Sequence, residues 1–156
     1  MTPHLADDLK RDEGCKLVAY PDPISDLART GKGSGEPWTI GVGHAHVAPG
    51  TVWTQTQCDE ALDEDICKAV ALLDVHWPWW RALNDARQDV MVNLCFNMGW
   101  GDGTRGLSSF KRTLGYIRAG DFVRASEGLL ASKWAKQVKG RSARLADQLR
   151  TGVRAA

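Results

Sequence analysis

Apolar positions recur at helical spacing over most of this chain, and they alternate with polar ones over only two short stretches. Leu5 and Leu9 lie four apart behind Thr2 and Pro3, and Gly14 follows. This predicts a first helix that Thr2 caps and Gly14 stops. Residues 16–20 and 38–42 read as strands, and the glycines between them (Gly31, Gly33, Gly35) read as loop. Thr54 and Gln57 have capping-box spacing, and Cys58, Ala61, Leu62, Ile66, Ala69 and Leu73 recur behind them, predicting one long helix over 55–75. At about 1.5 Å per residue such a helix is roughly 30 Å long, enough to join two lobes. Farther on, Asn84 opens a helix that ends before Gly99. Phe110, Leu114 and Ile117 mark another before Gly120, Asp121 caps the next, and 141–149 form the last. The expected class is α+β: one domain over 1–156, with a small β lobe at 14–53, the joining helix at 55–75, and a helical lobe made of 76–156 plus 1–13.

Composition changes this picture little. A chain of 156 residues, 43% hydrophobic and 25% charged, is ordinary for a soluble globular protein with a proper core. The longest apolar run is 69–73 and the first residues are polar, so neither a signal peptide, nor a transmembrane segment, nor stable membrane insertion is expected. The net charge of +1 hides an asymmetry: residues 1–75 hold 6 Lys/Arg against 13 Asp/Glu, a balance of −7, and residues 76–156 hold 14 against 6, a balance of +8. Opposite poles can attract each other, and the basic half can also meet an anionic envelope. No groove-reading motif is present, so nucleic acid is not an expected partner. The four cysteines, Cys15, Cys58, Cys67 and Cys95, lack C-x-x-C spacing and paired histidines. Zinc is not expected, and buried or half-buried free thiols are, although their redox state is left open.

The chemistry is concentrated near the start. Glu13 lies in the last turn of the first helix, four residues beyond Leu9 on the same face, and eight residues separate it from Asp22, which sits between Pro21 and Pro23. Breaking a glycosidic bond needs one carboxylic acid to protonate the leaving oxygen and a second carboxylate across the sugar ring. Glu13 and Asp22 can supply that pair, although Asp22 could also be a turn former, and Asp26 or Glu36 could stand in for it. The run from Thr39 to His44 (TIGVGH) adds a small hydroxyl and two glycines that permit close approach.

With these residues and with RQDVMVNLCFNMG at 87–99, the segments 106–110, 132–134 and 141–144, and Thr151-Gly152, the chain resembles the phage-type lysozymes, the endolysins of glycoside hydrolase family 24. Nearly the whole length is covered, in order. One departure stands out: sixteen residues separate Asp22 from Thr39, more than in the family's pattern, so 25–38 reads as an insertion of unknown role.

The resemblance implies a lysozyme-like α+β fold and a muramidase acting on the β-1,4 bond between N-acetylmuramic acid and N-acetylglucosamine. Glu13 would be the general acid, and Asp22 with Thr39 would orient water in an inverting reaction. His44 and Asp65 would form a structural pair, Arg141 would support Glu13, and Asn93 and Asn97 would contact substrate. Trp134 would be buried. Core or loop packing is expected for Trp77, Trp79 and Trp80. No metal or other cofactor is implied. The partner would be bacterial peptidoglycan, met by a monomer that waits in host cytoplasm for a separate holin. An inactive wall-binding module and a lytic transglycosylase remain open, as does the choice between free endolysin and virion component.

Overall fold

The computed structural model describes residues 1–155, which form two compact units: Ala6–Cys67, and Met1–Leu5 with Lys68–Ala156. The first holds α1 (Leu5–Glu13) from Ala6 onward, β1 (Lys16–Pro21), α2 (Asp26–Thr30), β2 (Trp38–Gly41) and β3 (His44–Ala45), together with the early turns of α3 (Gln55–His76). The second holds the rest of α3, then α4 (Asp85–Met98), α5 (Lys111–Arg118), α6 (Phe122–Leu130), α7 (Lys133–Val138) and α8 (Gly140–Thr151), with 3-10 turns at Pro78–Ala82 and Leu107–Ser109. The fold is α+β and lysozyme-like.

In the strand-bearing unit, β1, β2 and β3 make one antiparallel sheet in that order. Its buried apolar residues include Leu9, Ile40, Val42, Cys58 and Leu62. Gly41 lies at φ +62°, a region that costs a side chain dearly, and a Cβ there would meet the Trp53 ring at 3.0 Å and Cys58 Sγ at 3.4 Å. The α3 start is the expected capping box: the Thr54 N–H donates to Gln57 Oε1 (2.9 Å), and the Gln57 N–H donates to Thr54 Oγ1 (3.2 Å).

The helical unit buries Trp80, Val90, Met91, Leu94, Ile117, Leu129, Leu145 and Leu149. Asn84 and Asp121 cap α4 and α6 as their positions predict, their Oδ1 atoms accepting from the Arg87 and Arg124 N–H groups at 3.1 Å each. Trp77 and Trp80 are buried, and the Trp80 indole N–H donates to Asp74 Oδ1 at 2.9 Å.

Three elements differ from expectation. The Thr2 hydroxyl donates to Asp89 Oδ2 (2.5 Å) and accepts a long contact from the His4 N–H (3.4 Å), and α1 starts only at Leu5. The 25–38 segment holds α2, which Ser25 Oγ caps by accepting from the Ala28 N–H (3.2 Å) and which ends at Gly31. α7 adds a helix where none was expected: Ser132 Oγ caps it by accepting from the Ala135 N–H (3.1 Å), and Lys139 at φ 46° separates it from α8. Among the described residues no helix is long and apolar enough to cross a membrane.

Because Thr54 and Gln57 satisfy each other's N–H, Thr54→Ala removes the side-chain acceptor while leaving the apolar face of α3 intact. Chemical denaturation should show a loss of about 1 kcal/mol with an unchanged denaturant slope. A loss of less than a few tenths would mean that the box contributes nothing to the start of this helix.

Candidate active site

Gly14 ends α1 in the left-handed region (φ +74°), its N–H donating to the Lys10 carbonyl at 2.9 Å, and this reversal leaves half-buried Glu13 just ahead of β1. β1 then leads to Tyr20, which faces Thr39 of β2 in the antiparallel register. Lys16 Nζ lies 4.1 Å from the centre of the Tyr20 ring. The Tyr20 phenol is held above its ordinary value of 10, first by burial and then by the negative charges of Glu13 and Asp22. The sheet thus sets Tyr20 opposite Thr39, and Asp22 follows Tyr20 just beyond the end of β1. In the sequence Tyr20 reads only as the end of a strand. The available signal was an aromatic with a polar tip two positions ahead of Asp22.

Asp22 is both a turn former and one of the two charges acting on Tyr20. Its Oδ1 accepts from the Ile24 N–H (2.8 Å), its own N–H donates to the Gly35 carbonyl (3.0 Å), and its carbonyl accepts from the Ser25 N–H (2.9 Å). Oδ2 has no hydrogen-bond partner among the described residues. Asp26 and Glu36 are exposed, and neither contributes to the field on Tyr20. Thr39 is 8% exposed, and its hydroxyl makes only a long contact, 3.5 Å, to the Pro37 carbonyl.

His44 Nδ1 lies 2.7 Å from Asp65 Oδ2, tying β3 to α3 within the same unit, and the His44 ring packs at 5.3 Å from that of Trp53. Asn93, Asn97 and Arg141 belong to the helical unit. Asn93 is 1% exposed, and its Oδ1 accepts from Arg141 Nε (3.0 Å) and Nη2 (2.8 Å). Asn97 Oδ1 accepts from the buried Trp134 indole N–H at 2.7 Å. The side-chain oxygens of Asn93 and Asn97, the two residues expected to contact substrate, thus each accept within the helical unit, from α8 and from Trp134. Of the four thiols, Cys58 and Cys95 are buried as expected, whereas Cys15 and Cys67 are exposed.

Tyr20 paired with Thr39, with the charges of Glu13 and Asp22 acting on its phenol, thus lies on an α+β frame. The chain belongs to the phage lysozyme family, whose model matches residues 10–150. It is 28% identical over 168 aligned positions to the pre-baseplate central spike protein Gp5 of Enterobacteria phage T4, a match covering 95% of this chain and 28% of that protein. It is 36% identical over 92 positions to the endolysins of Lactococcus phages c2 and phivML3, covering 58% of this chain and 36% of each. The chain thus spans between about a quarter and a third of the length of these curated relatives.

The field on Tyr20 can be measured directly. Ultraviolet titration, with Tyr20→Phe as the difference reference, should place Tyr20 above 10, and Glu13→Gln should lower it while burial keeps part of the elevation. Since the folded value is the higher one, the folded state gains from this phenol fully below the unfolded value and loses that gain as pH rises through the folded value. Wild type should accordingly lose more stability above pH 10 than Tyr20→Phe does. No shift of Tyr20 on removing Glu13 would separate the two groups.

Proposed function

We propose that this protein is a peptidoglycan hydrolase, an N-acetylmuramidase that cuts the β-1,4 bond between N-acetylmuramic acid and N-acetylglucosamine. The observation that carries the reading is the register that sets Thr39 opposite Tyr20 in the sheet, with the charges of Glu13 and Asp22 both acting on the Tyr20 phenol. Membership of the phage lysozyme family supports it. Glu13 is the general acid: it gives its proton to the leaving glycosidic oxygen. Asp22, anchored through Oδ1, takes a proton from water through Oδ2, and the Thr39 hydroxyl orients that water. The water attacks the anomeric carbon from the face opposite the leaving group, so the configuration inverts and no covalent sugar intermediate forms. No cofactor takes part.

Asn93 and Asn97 are proposed as substrate contacts, and Asn93 also holds Arg141. His44 with Asp65 braces β3 against α3. The protein would act as a monomer during phage-induced lysis, held in host cytoplasm until a separate holin admits it to the wall. A second reading, wall penetration as part of a virion, is favoured by the match to a baseplate spike protein over 95% of this chain. Both uses need the same bond cleavage.

A lytic transglycosylase needs an acid but no activated water, so the Asp22–Thr39 grouping favours hydrolysis over it. A binding module without activity would leave walls intact. Purified wild type should clear a suspension of bacterial walls, and Glu13→Gln, still folded by circular dichroism, should be slower by about 10²–10⁴-fold. Asp22→Asn should be similarly impaired. NMR of freshly cut oligosaccharide should show the α-anomer first, whereas an initial β-anomer would make Asp22 a nucleophile and remove the water-orienting role of Thr39. Near-normal clearing by folded Glu13→Gln would overturn the assignment.

A further inference from the structure

Cys15 lies in the short link between α1 and β1, two residues after Glu13, and Cys58 lies in the first turn of α3. The two are 43 positions apart in sequence, yet their Sγ atoms are 2.6 Å apart, closer than two unbonded sulfurs normally pack. Cys15 is exposed, and Gln55 Nε2 sits 3.9 Å from its sulfur. Cys58 is 0% exposed, so within the fold its sulfur is approached from the Cys15 side. The remaining thiols are placed differently. Cys67 is exposed on α3, about 13 Å along the helix axis from Cys58, and Cys95 is buried in α4.

We propose that Cys15 and Cys58 are a disulfide-forming pair: an open dithiol under reducing conditions and a covalent staple under oxidising ones. The staple closes a loop containing β1, α2, β2 and β3, with Asp22, Tyr20, Thr39 and His44 all inside it and Glu13 just outside. It fixes the start of β1 to the first turn of α3. Reducing compartments keep such pairs open and oxidising ones close them. The oxidant is a small-molecule disulfide. The exposed Cys15 thiolate attacks one of its sulfurs, forming a mixed disulfide and expelling one thiolate. Cys58 gives up its proton and attacks the Cys15 sulfur, expelling the second small thiol. In balance, two protein S–H groups and one small disulfide become one protein S–S bond and two small thiols. Burial and the neighbouring Cys15 push the Cys58 thiol up to about 12, consistent with Cys15 attacking first and Cys58 resolving. Closing so long a loop restricts the unfolded chain far more than the folded one, so the stapled form should be the more stable.

The test uses the full chain treated with oxidised glutathione or with dithiothreitol, and it does not depend on wall-lysing activity. Intact mass should show loss of two hydrogens, non-reducing peptide mapping should join the Cys15 and Cys58 peptides, and the melting temperature of the oxidised form should rise by several degrees. Cys67→Ser should keep both effects, and Cys15→Ser, at an exposed position, should abolish both even if Cys58→Ser fails to fold. Three results would overturn the proposal: glutathione retained on Cys15 without a crosslink, a dominant crosslink involving Cys67 or Cys95, or an oxidised form melting no higher than the reduced one.

Discussion

The antiparallel pairing of β1 with β2 is the constraint on which the site depends. Asp22 and Thr39 are separated by the whole 25–38 segment, and only the register that sets Tyr20 opposite Thr39 gives them a fixed relation. A slip of one residue would turn the Thr39 side chain to the other face of the sheet. The opposite edge of β1 is also held. The Ala19 N–H donates to the Thr51 carbonyl (2.9 Å), the Trp53 N–H donates to the Leu17 carbonyl (2.8 Å), and Val18 bridges Val52. With both edges occupied, the strand that carries Tyr20 has little freedom to shift. Trp53 extends the same restraint to Gly41, where no Cβ intrudes, and to His44.

The helical unit is ordered by buried polar groups that find partners. A guanidinium shut inside a protein is costly unless its N–H groups are accepted, and Asn93 accepts two of those of Arg141. Gln148, 1% exposed, donates to the Ala86 carbonyl at 2.8 Å, joining α8 to the start of α4. Asp89, also buried, accepts from Thr2, although burial still pushes its carboxyl above the ordinary range. These bonds hold the helices at defined registers where apolar packing alone would allow sliding.

Much of the frame was legible because the relevant signals are local. The Thr54–Gln57 box, the Asn84 and Asp121 caps and the helix-ending Gly14 act within four residues, and each does in the structure what its spacing predicts. α2 and α7 were not legible, since five or six residues give too short a periodicity and their Ser25 and Ser132 caps look like ordinary loop serines. Thr2 misled for another reason: its hydroxyl donates to a buried carboxylate far along the chain, Asp89, and accepts only a long contact from the His4 N–H at 3.4 Å. At the site, the carboxylates announce themselves by type and spacing. The engagement of Asn93 by Arg141, 48 positions away, and the action of two carboxylate charges on the Tyr20 phenol are products of tertiary structure that no window along the sequence contains.

All of this turns on whether the Glu13, Asp22 and Thr39 group delivers a water to the cut bond. Mass spectrometry of the muropeptides released from purified peptidoglycan reads that step directly. The account predicts products carrying one added water and a reducing N-acetylmuramic acid end. Anhydro-muropeptides would contradict it, because they form when no water is activated, and uncut material would show that the site performs no cleavage.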